Sequence, residues 1–373
     1  MAALARVHSP LLHFKMGFVH VVVAASANVA EQFLKVHDGN FSCRPPSSGA
    51  KHMAYNYHDL VFAPYGPRWR LLRKICALHL FSTKALDDFR HVRQLKIYGR
   101  GGDPHSRCSK CRNTPVSIGK MLNVCTTNAI ARLMIGRRVV GHGFGGGDAE
   151  AEEFKAMVDE LMGLAGVFNI SDFIPPLEGL DLQGVVAKMK KLHARFDAFL
   201  TSILKEHKIK GSNGTEGHVN LLSTLIDVDD GEGGRLTDTE IKALLLFREL
   251  LEPSGVLIKE LTSRDRHNIQ HREWAIAELI RNPKILAQAQ QELDSVVGKG
   301  RLVIESDLSQ LTFLQAIIKE NFCLHPSTPL SIPRIAQDNC EINGYFIPKG
   351  SPLLINVWDI ARDPNTWFDP LEF

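Results

Sequence analysis

The 373-residue chain lacks any long apolar run and any block of like charge. Residues 1–18 contain no uninterrupted apolar stretch as long as a signal peptide or a membrane span, so we expect a chain without an anchor of its own. The formal net charge is only +3 and the basic residues are scattered, which argues against nucleic acid as a partner. Seven cysteines without regular spacing argue against a disulfide framework and indicate a reducing compartment.

Several chemical motifs are missing as well. The sequence contains no phosphate-binding glycine loop, no HExxH zinc motif and no Ser-His-Asp order. One Cys-x-x-Cys occurs in HSRCSKC, where His105, Cys108 and Cys111 are half of a candidate zinc site. Because no second ligand pair follows, we interpret this motif as accidental and expect no metal site of this kind.

What the chain does contain is the composition of a globular protein, with 44% hydrophobic and 23% charged residues. Its apolar periodicity predicts a mostly α fold with a small antiparallel β region. Two Val-rich strands are expected at 11–25, split by Gly17. A helix is expected to begin near Pro67, and a hairpin is expected at the Asn343-Gly344 turn.

Two segments differ in composition from the rest of the chain. Residues 95–114 are basic, rich in glycine and proline, and without period. Residues 247–272 contain Pro253 and Gly255, which stop a long helix, and end in a crowd of charges. We interpret both segments as foreign insertions, translated from non-coding or frame-shifted sequence, in a chain that otherwise forms a single domain over 1–373.

One helix carries an unusual pair of residues. Apolar periodicity over 314–324 predicts a helix that Pro326 ends. Glu320 and Cys323 are three residues apart and therefore share a face of this helix. An acid in this place needs a basic partner, and a cysteine supplies no positive charge.

Several long blocks resemble one family. The blocks are YGPRWRLLRK, ELIRNPKILAQAQQELDSVVG, LTFLQAIIKEN, LHPSTPLSIPR and CEINGYFIPKGSPLLINVWDIARDP. Together they resemble the plant microsomal cytochromes P450, which are haem-thiolate monooxygenases, over roughly residues 1–94, 115–246 and 273–373. Within that family these blocks are similar in sequence to those of the flavonoid hydroxylases, with 3'- and 3',5'-hydroxylation as alternatives. The resemblance implies the cytochrome P450 fold, incomplete at both termini.

The resemblance also implies an activity and its partners. The family hydroxylates the B-ring of flavonoids, at the 3' position in the branch favoured here. It uses haem, molecular oxygen and electrons that a separate NADPH-dependent cytochrome reductase delivers. Its members sit on the endoplasmic reticulum membrane through an N-terminal helix. Without that anchor, this chain is expected to be cytoplasmic or degraded.

Three residues are implied to hold the haem propionates. By resemblance, Trp69 and Arg73 contact one propionate from a helix, and Arg334 contacts the other from a strand. A guanidinium suits a carboxylate because it gives bidentate, charge-assisted hydrogen bonds, and an indole N–H adds a neutral donor. The alternatives are a basic amphipathic helix with a core tryptophan and an edge-strand arginine.

The segment STPLS is implied to line the substrate pocket. By resemblance, Thr328, Leu330 and Ser331 lie in the family's loop above the haem. The alternative is a turn ordered by its prolines, and the residues leave both interpretations open.

The chain departs from the family pattern at three places. The family's Glu-x-x-Arg reads here as Glu320 with Cys323, so the charge partner is lost. The family's oxygen-handling Ala/Gly-Gly-x-Asp/Glu-Thr motif is not found in 247–272. The axial cysteine lies downstream of DPLEF in the family and is expected to be absent here. We therefore expect an inactive, truncated product, with a weak haem- or ligand-binding fragment as a further alternative.

Acidic residues in the second insertion offer a tempting replacement for the missing motif. Glu260 and Asp265 flank Thr262 and could be read as a proton relay. We interpret them instead as part of a charged surface loop, so no catalytic residue is expected to be intact.

Overall fold

The computed structural model describes residues 2–79 except 9, residues 82 and 84, 148–212, 221–228, 235–251, and 269–373 except 302. The chain divides into two compact units. The first, called here the sheet unit, comprises Met1–Pro45 and Glu252–Phe373. The second, called the helical unit, comprises Pro46–Leu251. The insertion predicted at 95–114 and the candidate zinc motif lie outside the described residues, as does most of the insertion predicted at 247–272.

Helix is the main secondary structure of the described residues, as expected. In chain order the α-helices are α1 (Ala2–His8), α2 (Ala27–Glu31), α3 (Ser48–Met53), α4 (Pro67–His79), α5 (Asp148–Ala165), α6 (Val185–Ser212), α7 (Leu221–Asp227), α8 (Asp238–Leu251), α9 (Ile269–Arg281), α10 (Pro283–Val296), α11 (Thr312–Leu324) and α12 (Val357–Ile360). A π-helical turn (Gln32–Val36) extends α2, and 3₁₀ turns cover Ile170–Asp172, Pro175–Leu180 and Glu305–Asp307. None of the described helices is long and apolar enough to cross a membrane.

The sheet unit contains two small sheets. Their strands are β1 (Leu11–Met16), β2 (Val19–Ala24), β3 (Arg334–Ile335), β4 (Cys340–Ile342), β5 (Tyr345–Ile347) and β6 (Pro352–Ile355). The larger sheet has the order β1-β2-β6-β3 and is mixed, because β2 pairs with β6 in parallel while its other pairs are antiparallel. The predicted antiparallel pairing is confirmed for the hairpins β1-β2 and β4-β5. The parallel pairing of β2 with β6 was not predicted.

The backbone dihedral angles of the hairpin β4-β5 explain why its turn could be predicted from the sequence. Asn343 and Gly344 have φ of 52° and 77°. Two successive positive φ values belong to the type I′ turn, whose twist matches that of the flanking strands. Asparagine and glycine tolerate this conformation best, so the dipeptide predicts the turn.

An aromatic pair lies at the centre of the sheet unit. Phe33 and Phe41 are fully buried, and their rings meet edge to face with centroids 4.9 Å apart. Alternate residues of the strands, including Val22, Leu353 and Ile355, pack in the same cluster. This period of two is the pattern of strands with one face on the core.

Three helices of the sheet unit, α9, α10 and α11, pack against one another. The carboxylate of Glu292 on α10 accepts hydrogen bonds from the backbone N–H of Phe313 (2.8 Å) and Leu314 (2.9 Å) at the start of α11. These donors have no partner within their own helix, so Glu292 caps α11 from a neighbouring helix and complements its dipole.

The helical unit is organised around α6. This 28-residue helix packs against α3, α5, α7 and α8. Its buried stripe includes Leu192, Phe196 and Ile203, which recur at helical spacing. Complete burial of one such side chain contributes about 1.5–3 kcal/mol, so this stripe stabilises the unit substantially.

Candidate active site

The helix α4 presents a tryptophan and an arginine on one face. It begins at Pro67, as predicted, and buries Leu72 and Ile75 on its other side. Trp69 is half-buried and Arg73 is exposed. The guanidinium carbon of Arg73 lies 5.2 Å from the centroid of the Trp69 ring, within the range of a cation–π contact. The pair is therefore assembled as the i, i+4 spacing predicts.

The indole N–H of Trp69 is engaged inside the protein. It donates a hydrogen bond of 2.9 Å to the backbone carbonyl of Leu60, in the turn that precedes α4. Trp69 thus serves here as an aromatic platform for Arg73, and Arg73 is the exposed member of the pair.

The turn before α4 contains a fully buried carboxyl group. Asp59 is 0% exposed, and its Oδ1 accepts a hydrogen bond of 3.0 Å from the backbone N–H of Phe62. Its Oδ2 is buried and has no hydrogen-bond partner among the described residues. Burial raises the pKa of Asp59 to about 7, although hydrogen bonds from neighbouring backbone N–H groups oppose the shift.

An ion pair fixes the first turn of α4. Arg68 donates hydrogen bonds from Nε and Nη2 to the two carboxylate oxygens of Glu240, a buried residue near the start of α8. Burial opposes ionisation of Glu240, but its bonds with Arg68 and Thr237 outweigh that cost and lower its pKa. Such a bidentate pair sets orientation as well as strength.

The same glutamate also caps its own helix. The backbone N–H of Thr237 donates to Glu240 Oε2 (2.9 Å), and the backbone N–H of Glu240 donates to Thr237 Oγ1 (3.3 Å). This reciprocal pattern is a capping box. Glu240 therefore joins the start of α8 to the helix that carries Trp69 and Arg73.

Arg334, the other predicted propionate residue, lies on β3 in the sheet unit. Its Nη1 donates to Asp38 Oδ1 (3.0 Å) and to the backbone carbonyl of Phe41 (3.1 Å). Among the described residues, these contacts hold the side chain through one of its three nitrogens. A guanidinium has five N–H donors, so the group retains the capacity to bind a carboxylate.

Glu320 and Cys323 lie near the C-terminal end of α11, and both are half-buried. Among the described residues Glu320 has no ion-pair partner. Because it is only half-buried, the cost of its unpaired charge is smaller than the ~3–5 kcal/mol typical of breaking a fully buried pair. Burial and the charge of Glu320 raise the pKa of the Cys323 thiol, while Arg362 opposes this.

Arg362 was not anticipated from the sequence. Its guanidinium donates to the backbone carbonyls of Trp358 (3.1 Å) and Leu324, and it stacks over the Trp358 ring at 3.3 Å. Arg362 thus brings a positive charge to the end of α11, beside Cys323. The segment ARDP belongs to one of the blocks that resemble the family, but nothing in it predicts a contact between Arg362 and α11.

A second contact at the end of α11 was also missed. Nε2 of His325 lies 2.9 Å from Glu278 Oε1 on α9, and the rings of His325 and Trp274 stack with centroids 4.1 Å apart. Glu278 is buried, so this bond satisfies a polar group that burial would otherwise leave costly.

The predicted pocket residues form a tight loop between α11 and β3. Thr328, Leu330 and Ser331 are all half-buried. The backbone N–H of Ser331 donates to the Thr328 carbonyl (2.9 Å), and Ser331 has a φ of 59°. The Leu330 carbonyl accepts from the N–H of Ile355 (3.2 Å). The loop is thus a hydrogen-bonded turn, and its role in substrate binding stays a prediction.

Comparison with known proteins identifies the family. The model of the family Cytochrome P450 matches residues 1–247 and 272–373. The chain belongs to the cytochrome P450 family. The family match leaves out 248–271, within the second predicted insertion, and includes 95–114. Both insertions stay predictions.

Individual relatives refine this assignment. The chain is 65% identical over 378 residues to a flavonoid 3'-monooxygenase of Petunia hybrida, covering all of this chain and 70% of that protein. It is 50% identical over 386 residues to a flavonoid 3',5'-hydroxylase of Crocosmia x crocosmiiflora, covering all of this chain and 69% of that protein. A zebra fish cytochrome P450 solved with abiraterone has a TM-score of 0.76 at 22% identity, covering all of this chain and 80% of that one. This last likeness shows the cytochrome P450 fold.

Membership of the family implies haem as the cofactor, and the described residues can be tested for fit to it. Arg73 and Arg334 are planar cations suited to the carboxylates of haem propionates. Trp69 fits as a donor only if its bond to Leu60 is exchanged, and it fits as a platform without any change. Each unit thus contains an arginine of the kind that binds a carboxylate, and the assignment of these residues to the haem propionates stays a prediction.

Proposed function

We propose that the chain is a flavonoid 3'-monooxygenase, which hydroxylates the flavonoid B-ring at the 3' position. The observation that carries the proposal is the 65% identity to the Petunia hybrida flavonoid 3'-monooxygenase over all of this chain. The lower identity to the 3',5'-hydroxylase makes hydroxylation at both positions the weaker assignment.

We assign one set of residues to the cofactor and a second set to the substrate. Arg73 and Arg334 bind the haem propionates, with Trp69 supporting Arg73. Thr328, Leu330 and Ser331 contact the flavonoid. When bound through a thiolate, haem supplies the oxygen activation that hydroxylation requires.

The partners follow from the same assignment. The substrate is a flavonoid with an unsubstituted 3' position, and the electrons come from NADPH through a separate cytochrome reductase. We propose the endoplasmic reticulum membrane as the place of action, since the reductase must meet the chain there.

The activity is tested by supplying the chain, together with plant cytochrome reductase and NADPH, with a flavonoid that carries one B-ring hydroxyl at the 4' position. The expected product has gained one oxygen atom and is a 3',4'-catechol. A preparation without reductase is the control, and a product with two added oxygen atoms would favour the 3',5' alternative. No hydroxylated product from soluble, folded chain would contradict the proposal.

A second candidate is a non-catalytic member of the family. Two observations within the chain favour it: Cys323 replaces the arginine of the Glu-x-x-Arg motif, and residues 248–271 fall outside the family match. Carbon monoxide binding to the reduced chain separates the candidates. A thiolate-type shift of the haem band supports the monooxygenase, whereas haem bound without that shift supports the second candidate.

A further inference from the structure

A series of contacts connects the buried carboxyl group of Asp59 with Arg73, the exposed arginine of α4. The Oδ1 atom of Asp59 accepts a hydrogen bond from the N–H of Phe62 (3.0 Å), which closes the turn around Leu60. The carbonyl of Leu60 accepts the indole N–H of Trp69 at 2.9 Å. The Trp69 ring in turn lies under the guanidinium of Arg73 at 5.2 Å. The two hydrogen bonds and the ring contact are direct, and the backbone of the turn joins Phe62 to Leu60.

The carboxyl of Asp59 is unusual for a turn of this kind. Aspartate commonly accepts a backbone N–H two or three residues later, but in most turns it does so at the surface. Here the side chain is 0% exposed and Oδ2 has no hydrogen-bond partner among the described residues. Such burial is unfavourable for a carboxyl group, and the bond that Oδ1 accepts from Phe62 is the contact that this buried side chain contributes to the turn.

We propose that Asp59 is a positioning residue for Arg73: its buried carboxyl fixes the turn whose Leu60 carbonyl orients the Trp69 ring beneath the guanidinium. The significance of this role rests on the proposed function, because Arg73 is the residue that meets the haem propionate there. The orientation itself is a property of the chain without cofactor and can be measured in that state.

Without the Asp59 acceptor, the turn loses the bond to Phe62 and Leu60 is no longer held in place. The indole of Trp69 then exchanges its protein acceptor for water, and the ring is free to leave Arg73. Asparagine at position 59 keeps a side-chain oxygen for the same N–H, so it should preserve the arrangement. Alanine keeps none.

The test uses the full chain labelled with 5-fluorotryptophan. The chain has four tryptophans, and each gives its own ¹⁹F NMR signal. Trp69→Phe identifies the signal of Trp69. We expect Asp59→Asn to leave this signal in place and Asp59→Ala to move it towards the position of a solvent-exposed indole. Asp159→Asn, at an exposed carboxylate of the same unit, is the matched control and should change nothing.

Two results would overturn the proposal. One is an unmoved Trp69 signal in a folded Asp59→Ala chain, and the other is an equal shift in the asparagine and alanine variants. If Asp59→Ala does not fold, Asp59→Leu, which keeps a similar volume without an acceptor, is compared with the wild type by hydrogen exchange at the Trp69 indole N–H. Faster exchange in Asp59→Leu is expected, and equal exchange in the two chains would refute the role. Neither measurement depends on hydroxylation, so a failure of the proposed function is separately visible.

Discussion

The buried carboxyl of Asp59 should make the stability of the chain depend on pH. Its pKa is raised from 3.8 to about 7 in the folded protein. The folded state therefore holds this proton more tightly than the unfolded state, and stability is lost as pH rises from about 4 to about 7. A shift of this size corresponds to about 4 kcal/mol at alkaline pH, since one pKa unit is worth about 1.4 kcal/mol.

Asp59→Asn removes this titration while keeping an acceptor for the N–H of Phe62. We expect the variant to gain stability over the wild type as pH rises. Between pH 5 and pH 8 the gap should grow by roughly 2–3 kcal/mol, because the wild type has already met part of the cost at pH 5. Urea unfolding of both chains, followed by circular dichroism at each pH, measures the gap.

A constant offset between the two chains would carry no information, because the amide of asparagine has its own hydrogen-bonding needs. Only the change with pH tests the reasoning. Asp159→Asn, which alters an exposed carboxylate, should follow the wild type throughout. Parallel pH curves for wild type and Asp59→Asn would show that the carboxyl of Asp59 ionises normally in the folded chain and would refute the prediction.

Three further changes test other contacts. Glu240→Ala should lower the free energy of unfolding by about 2 kcal/mol, because the bidentate bonds with Arg68 and the capping box are lost together. Thr237→Ala removes the cap alone and should cost about 1 kcal/mol. Chemical denaturation compares the two variants, and equal losses would deny the ion pair any role. Cys323→Arg should raise the melting temperature relative to Cys323→Met, since it restores a cation to the acidic face of α11; a lower value would mean that Arg362 already fills that place. Gly344→Ala should cost about 1 kcal/mol through its positive φ, with Gly39→Ala, which has open space and no such φ, as the control in thermal unfolding.

Local features of the fold were readable from the sequence, while distant pairings were not. The hairpin β1-β2 and the Asn343-Gly344 turn depend on neighbouring residues, so alternation and turn chemistry predict them. The parallel pairing of β2 with β6 joins segments more than three hundred residues apart. No local pattern encodes that pairing, and periodicity alone predicted an antiparallel sheet.

The same division holds within the candidate site. The shared face of Trp69 and Arg73 follows from helix geometry and could be predicted. The bond from Trp69 to Leu60 depends on how a buried turn packs, so helix spacing predicts the neighbour of Trp69 on α4 but not its hydrogen-bond acceptor. Likewise, Arg362 reaches α11 only through the fold, so the sequence alone predicted no cation beside Cys323.

The central place of β2 in its sheet has a consequence for synthesis on the ribosome. One edge of β2 is paired with β1 as soon as the hairpin forms, but its other edge waits for β6, about 330 residues later. At about 5–20 residues per second, this leaves an apolar valine strand open for some tens of seconds. An open strand edge is a template for pairing with other chains, so the nascent protein is exposed to such pairing until β6 has been synthesised.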